Sequence, residues 1–301
     1  QQYKSDSLVI MCKGCAPDFE DVQKIFGISD FVPLSVPCVG RIPMDVLLKA
    51  ISSVGTNGIH ILACDVDYCR FERGSSITGQ KVMALNLLLE QLGYGKEAIE
   101  LKRHSLKVKA DRNKCISCGN CAFHCPFSAA KLVSGAAEFD LDLCRGCGLC
   151  VALCPAMALE LENWEGARIS ASIARLSSEM AEPKILVLRC QWSAFPFPNE
   201  ELDANVRVID LPCASRVEPL HVLEAFRMGI SGILIAACHE ADCKSKTGSK
   251  EAQRLTTALK KTLGQIGFEE RLHFCSVAPR YPEAFYEELQ QFREKIESGY
   301  S

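Results

Sequence analysis

Two patterns of apolar residues alternate along this chain. Short runs of aliphatic and β-branched residues read as strands, and longer stretches with apolar positions every three or four residues read as helices. Near the N-terminus the strands are Ser7 to Met11, Phe31 to Val36, Gly58 to Ala63 and Ile99 to Lys102, and the helices Asp18 to Phe26, Met44 to Val54 and Ile77 to Leu92. The same order returns near the C-terminus, with strands Ile185 to Arg189, Val206 to Leu211, Gly232 to Ala237 and Arg271 to Ser276, and helices opening at Pro219, Lys250 and Pro282. The last helix carries Phe285, Leu289, Phe292 and Ile296 at core-facing spacing. Strands alternating with helices imply an α/β class of open, mostly parallel sheets covered on both faces. The first crossover of the second stretch, through Phe195-Pro196-Phe197-Pro198, reads as irregular, because proline has no backbone N–H to donate.

The two stretches are copies of one another. Leu8-Val9-Ile10-Met11-Cys12 aligns with Leu186-Val187-Leu188-Arg189-Cys190, and Pro37-Cys38-Val39-Gly40-Arg41 with Pro212-Cys213-Ala214-Ser215-Arg216. Gly55 and Gly58 match Gly229 and Gly232; Cys64, Cys69, Gly74, Ser75 and Gly93 then pair with Cys238, Cys243, Gly248, Ser249 and Gly267 at constant offset. Such a repeat sets domain boundaries before any motif is interpreted. A first α/β domain is expected over 1–106, an inserted domain rich in Gly and Cys over 107–163, a helical connector over 164–183, and a second α/β domain over 184–301.

Composition adds one outlier. The 301 residues are 48% hydrophobic, enough for ordinary cores, and a net charge of -3 gives no pull toward nucleic acid or a membrane surface. The exception is the count of 18 cysteines. Disulfide scaffolds are short and core-poor, and this chain is neither, so metal binding in a reducing compartment fits better. No charged segment leads into an apolar run at the start, and no stretch of about 18 uninterrupted apolar residues occurs, so a soluble, cytoplasmic chain without a membrane span is expected.

Eight cysteines crowd the insert. Cys115, Cys118, Cys121 and Cys125 precede Pro126, and Cys144, Cys147, Cys150 and Cys154 precede Pro155, so C-x2-C-x2-C-x3-C-P occurs twice. That spacing lets a tight turn present three thiolates to one 4Fe-4S cluster while the fourth reaches the other. Cluster one is expected on Cys115, Cys118, Cys121 and Cys154, and cluster two on Cys144, Cys147, Cys150 and Cys125. Gly119, Gly146 and Gly148 allow the backbone to approach. Structural zinc uses paired cysteines, whereas each group here has three evenly spaced ones and a terminal C-P. The insert looks like a bacterial two-cluster ferredoxin.

In the first copy Cys12, Cys38 and Cys64 each follow a predicted strand, and open parallel sheets bind ligands at the carboxyl ends of their strands. Cys15 and Cys69 complete C-x2-C and C-x4-C, giving five thiols for a site that needs four, whether 2Fe-2S or zinc. A C-x2-C after the first strand, Cys38-x-x-Arg41 after the second, and Cys64-x4-Cys69 with a following Gly74-Ser75 resemble the delta subunit of methyl-viologen-reducing hydrogenases. The resemblance covers both copies. It implies a 2Fe-2S electron-transfer domain beside the flavin subunit of a heterodisulfide-reductase-type complex, exchanging electrons with a hydrogenase or formate dehydrogenase. The second copy keeps Cys190, Cys213, Cys238 and Cys243 but has Ser193 where the first has Cys15, so it is either a second four-thiolate site or a degenerate partner.

Lesser features take plainer readings: His239 as a solvated loop residue, Cys275 as core, and Arg41 and Arg216 either as charges beside a cluster or as surface and helix-start residues. Thr56 to Gly58 is too poor in glycine for a phosphate loop. With cysteines for clusters and no flavin, nickel or nicotinamide signature, the chain is expected to conduct single electrons, linking a hydrogenase or formate-dehydrogenase-type donor to a flavin-based bifurcating or disulfide-reducing core. The competing expectation is a thiol-disulfide or heterodisulfide reductase acting through Cys12-x2-Cys15, which lacks a thioredoxin-like context.

Overall fold

The computed structural model describes residues 7–15, 17, 19–54, 58–193, 202–278 and 281–299. The irregular crossover expected at Phe195 to Pro198, and Gly55 and Thr56, lie outside them. Contacts divide the chain into two units, Gln1–Leu106 and Lys107–Ser301.

The first unit is a four-stranded sheet with helices in its crossovers. Strands β1 (Leu8–Cys12), β2 (Val32–Val36), β3 (Ile59–Cys64) and β4 (Ile99–His104) lie in the order β2-β1-β3-β4, all parallel. Helices α1 (Phe19–Phe26), α2 (Met44–Val54) and α3 (Gly74–Gln91) connect them. β3 is buried at every position, as expected of a strand covered on both faces. Val9, Met11 and Leu62 pack with Val22 and Phe26 of α1 on one side of the sheet. Because β1 and β3 are neighbours while the chain runs outward from each to opposite edges, the sheet has a switch point at their carboxyl ends, and Cys12 and Cys64 are the last residues of those two strands.

The second unit opens with the cysteine-rich insert. Two short antiparallel pairs, β5 (Val108–Ala110) with β8 (Leu159–Leu161) and β6 (Ala130–Val133) with β7 (Ala136–Phe139), frame the single-turn helices α4 (Asn120–His124) and α5 (Leu149–Ala152). Helix α6 (Gly166–Glu179) follows. The second sheet repeats the first: β9 (Ile185–Cys190), β10 (Val206–Leu211), β11 (Gly232–Cys238) and β12 (Leu272–Val277) in the order β10-β9-β11-β12, all parallel, with helices α7 (Pro219–Arg227), α8 (Gly248–Leu263) and α9 (Pro282–Ser298).

Strand alternation sorts this second core into two layers. Ile185 and Val187 turn toward Phe285, Leu289, Phe292 and Ile296 of α9. Leu186, Leu188 and Cys190 turn the other way, onto Val222 of α7, Ala252 of α8 and Ile169 and Ile173 of α6. The segment expected as a connector is thus a structural layer of the second α/β fold. Two helices also begin earlier than their periodicity indicated, α3 at Gly74 rather than Ile77 and α8 at Gly248 rather than Lys250. No helix among the described residues is long and apolar enough to cross a membrane.

Arg216 joins the insert to this second sheet. Read in the sequence as either a charge beside a cluster or a surface residue, it is fully buried. Its Nη1 donates to Glu218 Oε1 at 2.5 Å, and its Nε and Nη2 donate to the Trp164 carbonyl at 3.2 and 2.7 Å. Its aliphatic stem crosses Gly148, whose φ of 77° is left-handed and where an added Cβ would stand 2.4 Å from the Arg216 Cδ. Gly148→Ala therefore meets both backbone strain and a clash beside a buried charge. We expect a loss on the order of 2–4 kcal/mol, read as a lowered urea midpoint of the full chain.

Candidate metal centres

The insert gathers its eight cysteines into two cavities. Cys115, Cys118, Cys121 and Cys154 line one, together with Ile116, Leu132 and Leu159. Cys125, Cys144, Cys147 and Cys150 line the other, with Phe127 and Leu149. Each cavity draws three thiols from one loop and the fourth from the opposite motif, the grouping that the spacing predicts. Positive φ at Ser117, Gly119, Gly146 and Gly148 curls the loops around the cavities. Backbone N–H groups point at sulfur: Ala137 at Cys115 (3.4 Å), Ala129 at Cys125 (3.3 Å) and Ala158 at Cys154 (3.3 Å). Burial, then repulsion from Cys147, Cys144 and Cys125, pushes the Cys150 thiol well up. Four thiols around a largely apolar hollow, with amides donating to sulfur, fit the donor set of a 4Fe-4S cluster.

In the first α/β fold five thiols converge at the carboxyl edge of the sheet. The sulfurs of Cys12, Cys15 and Cys64 lie within 4.8 Å of one another. Cys38 is within hydrogen-bonding reach of Cys12, and Gly74 carries the contact further, because a Cβ there would stand 2.5 Å from Cys38 Sγ and 3.4 Å from Cys69 Sγ. Tyr68, buried, donates to the Gly14 carbonyl at 3.2 Å and so ties the C-x4-C loop to the C-x2-C turn. Hydrogen bonds from Cys12 and Cys15 hold the Cys64 thiol down to about 5. Burial pushes Cys15 up, and the Cys12 hydrogen bond pushes Cys38 up.

The second fold repeats the arrangement with four. Cys190 reaches Cys213 and Cys238, and Cys238 reaches Cys243. Those hydrogen bonds hold Cys190 well down and Cys243 to about 6, and push Cys213 and Cys238 up. Gly248 takes the place of Gly74, with a hypothetical Cβ 2.5 Å from Cys213 Sγ. Ser193 stands where Cys15 does and turns the same way: its hydroxyl donates to the Cys190 carbonyl at 2.7 Å, as Cys15 Sγ faces the Cys12 carbonyl at 3.7 Å. Cys147 of the insert and Cys213 fall in one buried apolar cluster with Leu149.

Among the plainer readings, Cys275 is buried in the α9 layer, where desolvation raises its thiol to about 12, and His239 is an exposed loop residue whose ring accepts from Ala241 N at 3.3 Å. Sequence reasoning missed the roles of four residues. Ser215 donates its hydroxyl to Cys213 Sγ at 3.2 Å. Tyr68 closes the first site. Gly74 and Gly248 admit the second-strand cysteine, and their only signal was recurrence at constant offset from the cysteines.

Residues 107–155 match a 4Fe-4S dicluster domain, and residues 8–117 and 185–298 match the family described as methyl-viologen-reducing hydrogenase, delta subunit. The chain is 30% identical over 218 residues to one subunit of the ferredoxin:CoB-CoM heterodisulfide reductase of Methanosarcina mazei, an alignment covering 70% of this chain and 27% of that protein. It is 33% identical over 98 residues to an iron-sulfur subunit of the F420-non-reducing hydrogenase of Archaeoglobus profundus, covering 31% of this chain and 72% of that protein. This chain thus spans about a quarter of the length of the reductase protein it matches. With both α/β folds matched and the dicluster domain between them, the chain belongs to the methyl-viologen-reducing hydrogenase delta-subunit family.

Proposed function

We propose that this chain is an electron relay that passes single electrons between a hydrogenase or formate dehydrogenase component and the flavin subunit of a heterodisulfide-reductase-type, electron-bifurcating complex. The observation that carries the reading is the shared buried cluster of Cys147 and Cys213, which makes one insert cavity and the second thiol group neighbours. Electron tunnelling falls steeply with distance, so two redox groups held by touching residues exchange electrons readily. Support for the complex comes from the relatives, whose names attach them to heterodisulfide reduction and to hydrogenase.

In this reading Cys115, Cys118, Cys121 and Cys154 hold one 4Fe-4S cluster and Cys144, Cys147, Cys150 and Cys125 the other. Cys190, Cys213, Cys238 and Cys243 hold a 2Fe-2S cluster, and by register Cys12, Cys38, Cys64 and Cys69 hold another, with Cys15 as the fifth, spare thiol that Ser193 replaces. The clusters supply one-electron redox capacity. The chain positions the thiolates, aims amides and the Ser215 hydroxyl at sulfur, and excludes water by burying the carboxyl edge of each sheet, all of which tune potential.

Three measurements test this. Iron and sulfide analysis should give about twelve iron atoms per chain, or about ten if one outer group is empty; zinc in the central cavities ends the reading. Cys213→Ser should remove about two iron atoms and one EPR signal of the reduced protein while the 4Fe-4S signals persist. Cys15→Ser, which makes the first site like the second, should leave iron unchanged, and loss of iron on that substitution assigns Cys15 as a ligand instead.

A further inference from the structure

The two α/β folds differ in one face, and the difference is measurable position by position. In the second fold the surface formed by β10, the turn Ala214–Arg216 and α7 is covered. Ile169 and Ile173 of α6 pack on it, and the Gly148 loop and Trp164 close over Arg216. Ile209 is 9% exposed there, Val217 8%, His221 1% and Arg216 0%.

The aligned residues of the first fold are Leu34, Ile42, Val46 and Arg41. Leu34 is 45% exposed and Val46 44%, Arg41 is exposed, and Ile42 is half-buried. With Cys38 and Ile10 they line an open apolar groove that ends at a cysteine of the candidate metal site. Exposed apolar surface of this kind, with Arg41 as the charged residue in its lining, marks interaction sites. The charge is also left unfinished. Glu218 neutralises Arg216 within the second fold, whereas Pro43 stands at the aligned position in the first, so the counter-charge or carbonyl for Arg41 is left to the occupant.

We propose that this groove receives a ferredoxin domain of a partner protein, seated as the insert of this chain is seated on its second fold. The partner would place a C-x2-C-x2-C loop, with glycine at the position of Gly148, across the stem of Arg41, and an amphipathic helix corresponding to α6 along Leu34 and Val46. Cys38 would then stand to the partner's loop as Cys213 stands to Cys147. A second copy of this chain is the poorer occupant, because the helix that the groove would receive, α6, is already buried through Ile169 and Ile173 on its own second fold. The proposal deepens the relay reading by naming the partner's chemistry, but it rests on packing, and its test does not depend on which cysteines bind iron.

The test uses the full chain in its native host with a photo-reactive residue in place of Val46, and a control chain with the same residue in place of Met83, exposed on α3. The expected result is cross-linking from the Val46 position to a peptide that carries a C-x2-C-x2-C-x3-C-P motif or the helix after it, with none from Met83. Leu34→Asp and Arg41→Ala in the Val46 chain should each lower that yield at least about tenfold with iron content and urea midpoint unchanged. Capture of a protein without such a motif, capture of a second copy of this chain, or no capture overturns the proposal while leaving the cluster reading intact. Loss of iron from the unsubstituted chain would count against the cluster reading alone.

Discussion

Sulfurs brought to one point cannot all carry charge unless a cation sits among them, and the fold does little else but bring sulfurs together. In the first α/β fold Cys64 is held as a thiolate while Cys15 and Cys38 are pushed toward the protonated form. In the second, hydrogen bonds among the sulfurs hold the Cys190 and Cys243 thiols down and push Cys213 and Cys238 up. Each group thus shares protons among sulfurs because full ionisation is too costly in a buried site. A metal would displace those protons and satisfy every sulfur at once.

Sheet order explains why the thiols meet. The arrangement 2-1-3-4 sets the ends of the first and third strands side by side, and a cysteine ends each of them in both copies. The second strand contributes its cysteine from the turn beyond it, which must come close to the start of the next long helix. Only glycine fits there, and that sets Gly74 and Gly248 as the first residues of α3 and α8. Helix propensity alone disfavours glycine at those positions, which is why periodicity placed both starts too late.

The elements of both folds and the two cavity groupings of the insert were legible because each rests on local pattern: strand period, helix period, and the C-x2-C-x2-C-x3-C-P spacing. Burial of Arg216 was not legible. The same Cys-x-x-Arg sits at Arg41, exposed, and at Arg216, fully enclosed, so no local pattern separates them. What encloses Arg216 is tertiary: the Gly148 loop lies across its stem and Trp164 caps its head. The role of α6 was hidden for the same reason, since a connector and a packed layer have the same amphipathic composition until the partner face is known.

That asymmetry bears on how a duplicated domain can serve one relay. A charge buried as deeply as Arg216 must be neutralised within its own unit, and Glu218 and the Trp164 carbonyl do so, which makes the insert and the second fold a single cooperative body. The distance from Cys147 to Cys213 is then fixed by folding, and on the proposed reading so is the coupling between the redox groups they hold. The first fold keeps the thiols but exposes the matching arginine and the apolar residues around it. Pro43 stands there where Glu218 stands in the second fold, and the exposed Arg41 guanidinium is solvated and needs no acid. The same replacement makes the face selective, because enclosing Arg41 is favourable only for an occupant that brings its own acceptor. In the second copy the contact is therefore part of the folded unit, closed by the Gly148 loop and Trp164, whereas on the proposed docking the first copy leaves it to a partner, with Pro43 where Glu218 stands and Val46 where His221 stands.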